Sequence, residues 1–360
     1  MIISEQYTLF DKITVKAKRT MPFEHRKEVD LSSCNTLGLP SVCQYIGRFQ
    51  SVSDLQHAFE FAENQVVPCF VMGGGSNILL PEYLSGLVLF SSDESIHIEG
   101  EEVTVGAGVV WDDLVEKTLK TGLFGLENLS SIPGTVGAAP IQNIGAYGVE
   151  LDRFVVSVEV LDAQSGLAAT LTPDDCQFQY RDSIFKRHPG RFVVTRLTLK
   201  LSPRFEPVLA YQDLQNLPAQ SIASPQAVRR AIQSLRARKL PDYRIFGNVG
   251  SFFKNPSLSK TVIETLEQAQ VIQRNAGNAQ GKVSAAALIQ AAGLGDLSVG
   301  QAGISPRHQL VLENRGGATL TDILTLASFI QDRVKTRFGI GLEIEPQQLT
   351  QLVHAPNPKG

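Results

Sequence analysis

Apolar residues recur along this chain with two periods, and blocks of one period alternate with blocks of the other. Over 52–64, Leu55, Ala58, Phe59 and Ala62 fall on one face of a helix that Ser51 or Ser53 would cap. Residues 111–121 form a second helix, stopped by Gly122. Further helices are predicted over 225–239, 260–273, 284–292 and 321–338. Shorter runs over 69–72, 103–105, 155–161, 192–201 and 309–313 read as strands. Residues 342–346 also alternate, which puts Glu343 and Glu345 on one face of a strand and Ile344 on the other. Helices and strands mix without a regular strand–helix–strand rhythm, so the pattern predicts α+β domains over one doubly wound sheet. Three regions emerge, 1–90, 91–240 and 241–340, with no internal repeat.

Composition narrows the class. With 360 residues, 43% of them hydrophobic, the chain can build two or three sizeable cores. A net charge of -3 provides no global field for nucleic acid. No apolar run approaches the roughly 20 residues of a membrane helix. The opening Met1-Ile2-Ile3-Ser4-Glu5-Gln6 has no basic region leading into an apolar stretch, so no signal peptide is expected. Cys34, Cys43, Cys69 and Cys176 show no metal-binding spacing. The expectation is a cytoplasmic protein with reduced thiols and no metal.

Two glycine-rich segments carry the chemistry. Residues 132–148 hold four glycines, three alanines, two prolines and no charge. Such a run lets main chain approach a flat or anionic ligand and leaves N–H groups to face it. A packed Gly/Ala turn in a large core is the plainer alternative. Gly73, Gly74, Gly75, Ser76 and Asn77 directly follow the strand at 69–72. They make neither a Walker loop nor a dinucleotide fingerprint, because strand-like Ile78-Leu79-Leu80-Pro81 follows where a helix should open. A phosphate nest with Ser76 and Asn77 as side-chain donors fits, and so does an ordinary hairpin turn.

Three further segments hold candidate groups. Ser251, in Gly-Asn-Val-Gly-Ser-Phe-Phe-Lys-Asn-Pro at 247–256, lacks the second glycine of a nucleophile elbow. It is either a proton or hydrogen-bond donor or a capping or turn serine. Tyr-Arg-Asp-Ser-Ile-Phe-Lys at 180–186 gives Arg181 a chance to fork onto a carboxylate or phosphate, or makes a surface ion cluster. The basic helix with Arg229, Arg230, Arg236, Arg238 and Lys239 reads as a solvated face whose end is able to meet a pyrophosphate.

Together with Asn35-Thr36-Leu37-Gly38, these segments resemble, in order along nearly the whole chain, the UDP-N-acetylenolpyruvoylglucosamine reductase family. The resemblance implies an α+β fold: an FAD-binding fold of the vanillyl-alcohol-oxidase (PCMH) type, with two α+β subdomains plus a separate α+β substrate domain. Residues 1–90 and 91–240 would be the subdomains, with 341–360 returning to the second, and 241–340 the substrate domain. It implies non-covalent FAD held by the Gly73–Asn77 turn and by Ile132, Pro133, Gly134, Thr135, Gly137, Ala138, Asn143, Gly145, Ala146, Tyr147 and Gly148. NADPH would be the co-substrate and a UDP-sugar the substrate.

The resemblance also implies roles. Ser251 would donate the proton, while Arg181 and Glu345 support the substrate carboxylate and the developing charge, Glu345 in its protonated form. Tyr180, Tyr211, Lys239, Asn255 and His308 would contact substrate, with Tyr211 on the substrate loop of one subtype. The expected partners are NADPH and the sugar nucleotide alone, with no nucleic acid or membrane, for a monomer. Leu37 stands where the family has phenylalanine, His308 where it has glutamine, and Pro346-Gln347-Gln348 replaces the usual strand after Glu345. Two rival readings are an oxygen-using sugar oxidase and a flavin- or sugar-nucleotide-binding protein without turnover. Neither glycine segment holds the His or Cys that tethers flavin in many such oxidases.

Overall fold

A computed structural model describes residues 23–273 and 281–349 of the chain. Met1-Ile2-Ile3-Ser4-Glu5-Gln6 and residues 350–360 therefore lie outside the described residues. The first unit contains β1 (His25–Asp30), β2 (Val42–Phe49), α1 (Val52–Gln65), β3 (Cys69–Met72), β4 (Ile78–Leu79) and β5 (Tyr83–Ser91). Its sheet runs β1-β2-β5-β3, with β5 parallel to both β2 and β3. Ser51 caps α1 in a reciprocal capping box with Asp54, and Leu55, Ala58 and Ala62 face inward.

The second unit contains β6 (Ile96–Glu99), β7 (Glu102–Gly106), α2 (Trp111–Lys120), β8 (Gly145–Ala146), β9 (Val149–Glu150), β10 (Val155–Asp162) and β11 (Leu167–Leu171). It continues with α3 (Pro173–Cys176), α4 (Ile184–Arg187), β12 (Phe192–Lys200), α5 (Gln212–Gln215) and α6 (Pro225–Lys239). Its main sheet is antiparallel, in the order β11-β10-β12-β7-β6. Trp111, Leu114, Val115 and Leu119 pack α2 into a core with Val103, Val105, Val158 and Leu197. The third unit contains α7 (Lys260–Gln268), α8 (Ala285–Ala291), β13 (Ser298–Val299), β14 (Ala302–Ile304), β15 (Leu312–Asn314) and α9 (Leu320–Phe338). The organisation is α+β, as the pattern predicts.

Four expectations change. The helix predicted to reach 273 stops at Gln268, because Gln270 takes a left-handed φ of 56°. The strand expected over 309–313 is β15, shifted toward Asn314. Residues 342–346 make only an isolated bridge, Phe253 with Ile344. Pro346 has no N–H for a ladder, and the chain changes partner there: Glu345 N donates to Phe252 O at 2.9 Å, then Gln347 N to Asn77 O at 3.0 Å. Gln347–Gln348, which form β16, pair in parallel with β4, and Leu349 packs with Leu80, Leu84 and Val88. The described end of the chain thus returns to the first unit, where the second was expected. The Asn35-Thr36-Leu37-Gly38 turn is a joint: Leu37 is fully buried in the third unit's core, and Asn314 Nδ2 donates to its carbonyl at 3.0 Å.

Candidate active site

Gly73–Asn77 and the 132–145 stretch lie against each other and together line a cavity of about 780 Å³. Close approach of main chain dictates the glycines. A Cβ on Gly75, whose φ is +63°, would sit 1.9 Å from the Cys34 carbonyl oxygen. One on Gly74 would sit 2.8 Å from Gly134 Cα. The two segments are therefore pressed together before any ligand is considered. Trp111 holds the far side: its N–H donates to Gly134 O at 3.0 Å and its Nε1 to Leu129 O at 2.9 Å.

The expected side-chain donors of the nest are engaged inside the protein, the Ser76 hydroxyl wholly and the Asn77 amide in part. Ser76 Oγ donates to Pro133 O at 2.8 Å, and Asn77 Nδ2 to Gln142 Oε1 at 2.7 Å. What the turn offers is main chain. Among the described residues, the N–H groups of Gly74, Gly75, Ser76 and Asn77 donate to no protein acceptor. Adjacent N–H groups without a protein acceptor, on residues that line a cavity, are the kind of groups that make up an anion-binding concavity.

Gly73, Gly74, Gly75, Ser76, Asn77, Ile132, Pro133, Gly134, Thr135, Gly137, Ala138 and Gly145 all line the cavity. Asn143, Ala146, Tyr147 and Gly148 are not among its lining residues. Asn143 is fully buried, and its Oδ1 accepts from Asp152 N at 2.9 Å, so it holds the turn's shape. Ala146 pairs with Val149 in the β8–β9 hairpin. The Tyr147 ring meets Tyr211 edge-on at 5.3 Å, and burial pushes its phenol up to about 12. Gly148 lies beneath Tyr211.

Arg181, Glu345 and Ser251 line this same cavity. Arg181 Nε meets Glu345 Oε1 at 3.0 Å, with both side chains largely buried. Its Nη2 donates to Gly145 O at 2.8 Å, and its backbone is left-handed at φ 55°. A non-glycine residue held there stores strain of about 1–3 kcal/mol, a pattern common at functional sites. Glu343, expected on the same face as Glu345, instead reaches out to Lys254 with its side chain 70% exposed. Ser251 precedes no helix; it bridges Val311 in extended backbone. It caps no helix, and it directly follows the bend at Gly250, whose φ is 72°. Phe252, fully buried beside it, donates to Leu310 O at 2.7 Å and accepts from Glu345 N.

The substrate candidates lie off this wall in two groups. The Tyr180 ring lies beneath the Arg181 guanidinium at 5.2 Å; burial raises its phenol, and Asn255 is its hydrogen-bond neighbour. Asn255 Oδ1 accepts from Ala285 N at 3.0 Å, at the start of α8. Tyr211 begins α5, and Lys239 ends α6 with its ammonium bonded to Asp213 and 5.9 Å from the Tyr211 ring centre. Burial first, and the Lys239 charge second, lower the His308 imidazole. Its Nδ1 accepts from Leu310 N at 3.2 Å, which puts the proton of a neutral ring on Nε2.

The sequence reading missed four wall and support groups: Arg236, Arg229, Gln142 and Lys186. Helix α6 is not simply a solvated face. Arg236 lines the cavity, and burial lowers its guanidinium. Arg229, two turns earlier on the same face, grips Asp112 with two bonds of 2.6 and 2.9 Å. Their i, i+7 spacing was the available signal. Gln142 and Lys186 both lie inside segments already singled out.

Comparison with known proteins agrees with this geometry. Residues 44–171 match the family described as FAD binding domain, and residues 241–349 match UDP-N-acetylenolpyruvoylglucosamine reductase, C-terminal domain. The chain is 39% identical to the UDP-N-acetylenolpyruvoylglucosamine reductase of Polynucleobacter asymbioticus, over 91% of this chain and 97% of that one. It is 40% identical to that of Pseudomonas aeruginosa, over 91% and 99%. The crystal structure of the reductase from Thermus caldophilus superposes with a TM-score of 0.66 at 26% identity, covering 91% of this chain and all of that one. The cavity between two glycine segments, with an arginine–glutamate pair and a serine on its wall, is that of a flavoprotein, and the chain belongs to the UDP-N-acetylenolpyruvoylglucosamine reductase family.

Proposed function

We propose that the enzyme uses NADPH and non-covalent FAD to reduce the enolpyruvyl group of UDP-N-acetylglucosamine-enolpyruvate to UDP-N-acetylmuramate, in peptidoglycan synthesis. The residues fit the cofactor. The free N–H groups of Gly74–Asn77 suit a diphosphate, and the uncharged wall of Ile132, Pro133, Gly134, Thr135, Gly137 and Ala138 suits a flat ring system. Arg236 adds positive charge to that wall. When bound, FAD supplies hydride transfer from NADPH to the terminal alkene carbon.

The protein's own groups manage the charge and the proton. The Arg181 guanidinium offsets negative charge that grows on the substrate carboxylate and its adjacent carbon. Glu345 Oε1 is occupied by Arg181 and Gln142, so a proton on Glu345 belongs on Oε2. Ser251 Oγ holds the proton delivered to the adjacent carbon. Tyr180 and Asn255 are assigned to one end of the sugar nucleotide, and Tyr211, Lys239 and His308 to the nucleotide end. Lys239 must leave Asp213 to meet a diphosphate there. The working unit is read as a cytoplasmic monomer. No helix among the described residues is long and apolar enough to cross a membrane.

The observation that carries this reading is the convergence of Arg181, Glu345 and Ser251 on the cavity that both glycine segments wall. Anaerobic mixing with NADPH and the enolpyruvyl sugar nucleotide tests it. NADPH oxidation should require the sugar nucleotide, and FAD should leave the chain on acid denaturation. Oxidation of NADPH that needs only oxygen, or flavin that stays attached, would favour an oxidase. Sugar binding without NADPH oxidation would leave a binding protein.

A further inference from the structure

We propose that Gln142 is a positioning residue for Glu345, and that Lys186 fixes the direction in which the Gln142 amide points. Gln142 ends the turn of 3-10 helix Val136–Gln142, just before Asn143 takes a left-handed φ of 46°. Its side chain bridges three parts of the site. Oε1 accepts from Asn77 Nδ2 at 2.7 Å and from Lys186 Nζ at 3.2 Å. Nε2 faces Glu345 Oε1 at 3.4 Å.

An amide can be turned end for end, but chemistry forbids the turn here. An ammonium has no acceptor, so the atom facing Lys186 must be the oxygen. Glu345 Oε1 already accepts from Arg181 Nε and so carries no proton, and the atom facing it must be the nitrogen. Flipping the amide would set NH₂ against both Lys186 and Asn77 and oxygen against Glu345, losing all three contacts at once. Lys186 is itself held, donating to Arg181 O at 3.3 Å from α4, which Ser183 caps. Arg181 Nε and Gln142 Nε2 thus converge on one carboxylate oxygen and leave Glu345 Oε2 as its working atom. A contact of 3.4 Å is long for a hydrogen bond, so its contribution is orientation more than strength.

The inference rests on the role given to Glu345 under Proposed function. The experiment compares Gln142→Glu, Gln142→Met, Lys186→Met, the Gln142→Met/Lys186→Met double variant and Glu345→Gln. Gln142→Glu keeps the acceptor toward Asn77 and Lys186 but turns a carboxylate on Glu345. It should lower kcat roughly 10- to 100-fold, the effect of a hydrogen bond to a charged group. KM for the sugar nucleotide and FAD content should stay near wild type. Lys186→Met should lower kcat to a similar degree, and the double variant should be no slower than Gln142→Met, because Lys186 acts through the amide. Fully additive losses would overturn the proposal, as would losses that track FAD content or melting temperature, the mark of a merely structural role. If Glu345→Gln is slow while Gln142→Glu is not, this inference alone fails. If Glu345→Gln turns over like wild type, the assigned role of Glu345 fails first.

Discussion

At the scale of single residues, Ser251 owes its place to register. Its neighbour Phe252 is pinned through its N–H by Leu310 O and through its carbonyl by Glu345 N, so serine and glutamate are fixed by the same residue. Ser251→Ala should leave the fold and FAD content intact and slow enolpyruvyl reduction about 100- to 10,000-fold, or roughly 3–5 kcal/mol. Ser251→Cys should recover part of the rate, since a thiol also donates a proton. Stopped-flow absorbance in the two half-reactions checks this; an alanine variant slow only in its reaction with NADPH would return the proton to another donor. Lys186 adds a pH effect. Burial first, and the Lys254 charge second, bring its ammonium down to about 8, against the pull of Glu345, Glu343 and Asp182. Only the protonated form fixes the Gln142 amide, so kcat should fall as pH rises through about 8. Lys186→Arg, which stays charged, should remove that limb; an unchanged profile would show another group titrating. Stability runs the other way. The folded value lies below the ordinary 10.5, so the unfolded chain binds the extra proton and the penalty fades between about 8 and 10.5. Ser251 and Arg181, which line the cavity, stood out in the sequence through the resemblance their segments carry, since each segment alone left an alternative open. Gln142 did not, since an amide inside a glycine run has no pattern until its partners from 77, 186 and 345 are in place.

At the scale of elements, periodicity located the helices well where one face is buried and a cap is present. Ser51, Ser224 and Thr319 each cap a helix that starts within a residue of its predicted position. It failed where tertiary pairing decides. The 342–346 run alternates like a strand, yet Pro346 hands the chain from Phe252 to Asn77. The Gly73–Asn77 turn was legible as special, but for a reason only partly visible: its glycines answer to Cys34 and Gly134 as much as to a ligand. Gly75→Ala makes that distinction measurable. Its Cβ would meet a carbonyl oxygen at 1.9 Å, and the left-handed backbone costs an L residue about 1–2 kcal/mol more. The apo protein itself should therefore melt lower, and FAD retention should fall with it. A variant that loses FAD while the apo protein melts like wild type would place the glycine's role wholly at the ligand.

At the scale of the whole molecule, the cavity is where three units meet. Gly73–Asn77 come from the first, the 131–145 wall and Arg236 from the second, and Val249, Gly250, Ser251 and Arg307 from the third. The α+β class was legible because helical and strand periods mix along the chain without a regular strand–helix–strand rhythm. The return of Gln347–Gln348 to β4 was not, since two residues of parallel pairing have no sequence signature. A ligand that fills such a junction acts on all three cores at once. If FAD binds only the folded protein, it stabilises by RT ln(1 + [FAD]/Kd), about 2.7 kcal/mol at a hundredfold excess over Kd. With 360 residues and an unfolding entropy of about 2.1 cal/mol/K per residue, each kcal/mol moves Tm by only about 1–1.5 °C. Saturating FAD should thus raise the first unfolding transition of the apo protein by roughly 4 °C, and by a further degree or two for each tenfold increase in FAD. Differential scanning calorimetry of protein stripped and reloaded with FAD provides the measurement. One transition that shifts as a whole would mean the cofactor ties the three units together. Two transitions, with only the earlier one moving, would confine FAD to the first two units and leave 241–340 as an independent substrate domain. A Tm indifferent to FAD concentration would mean that the cavity is not its site.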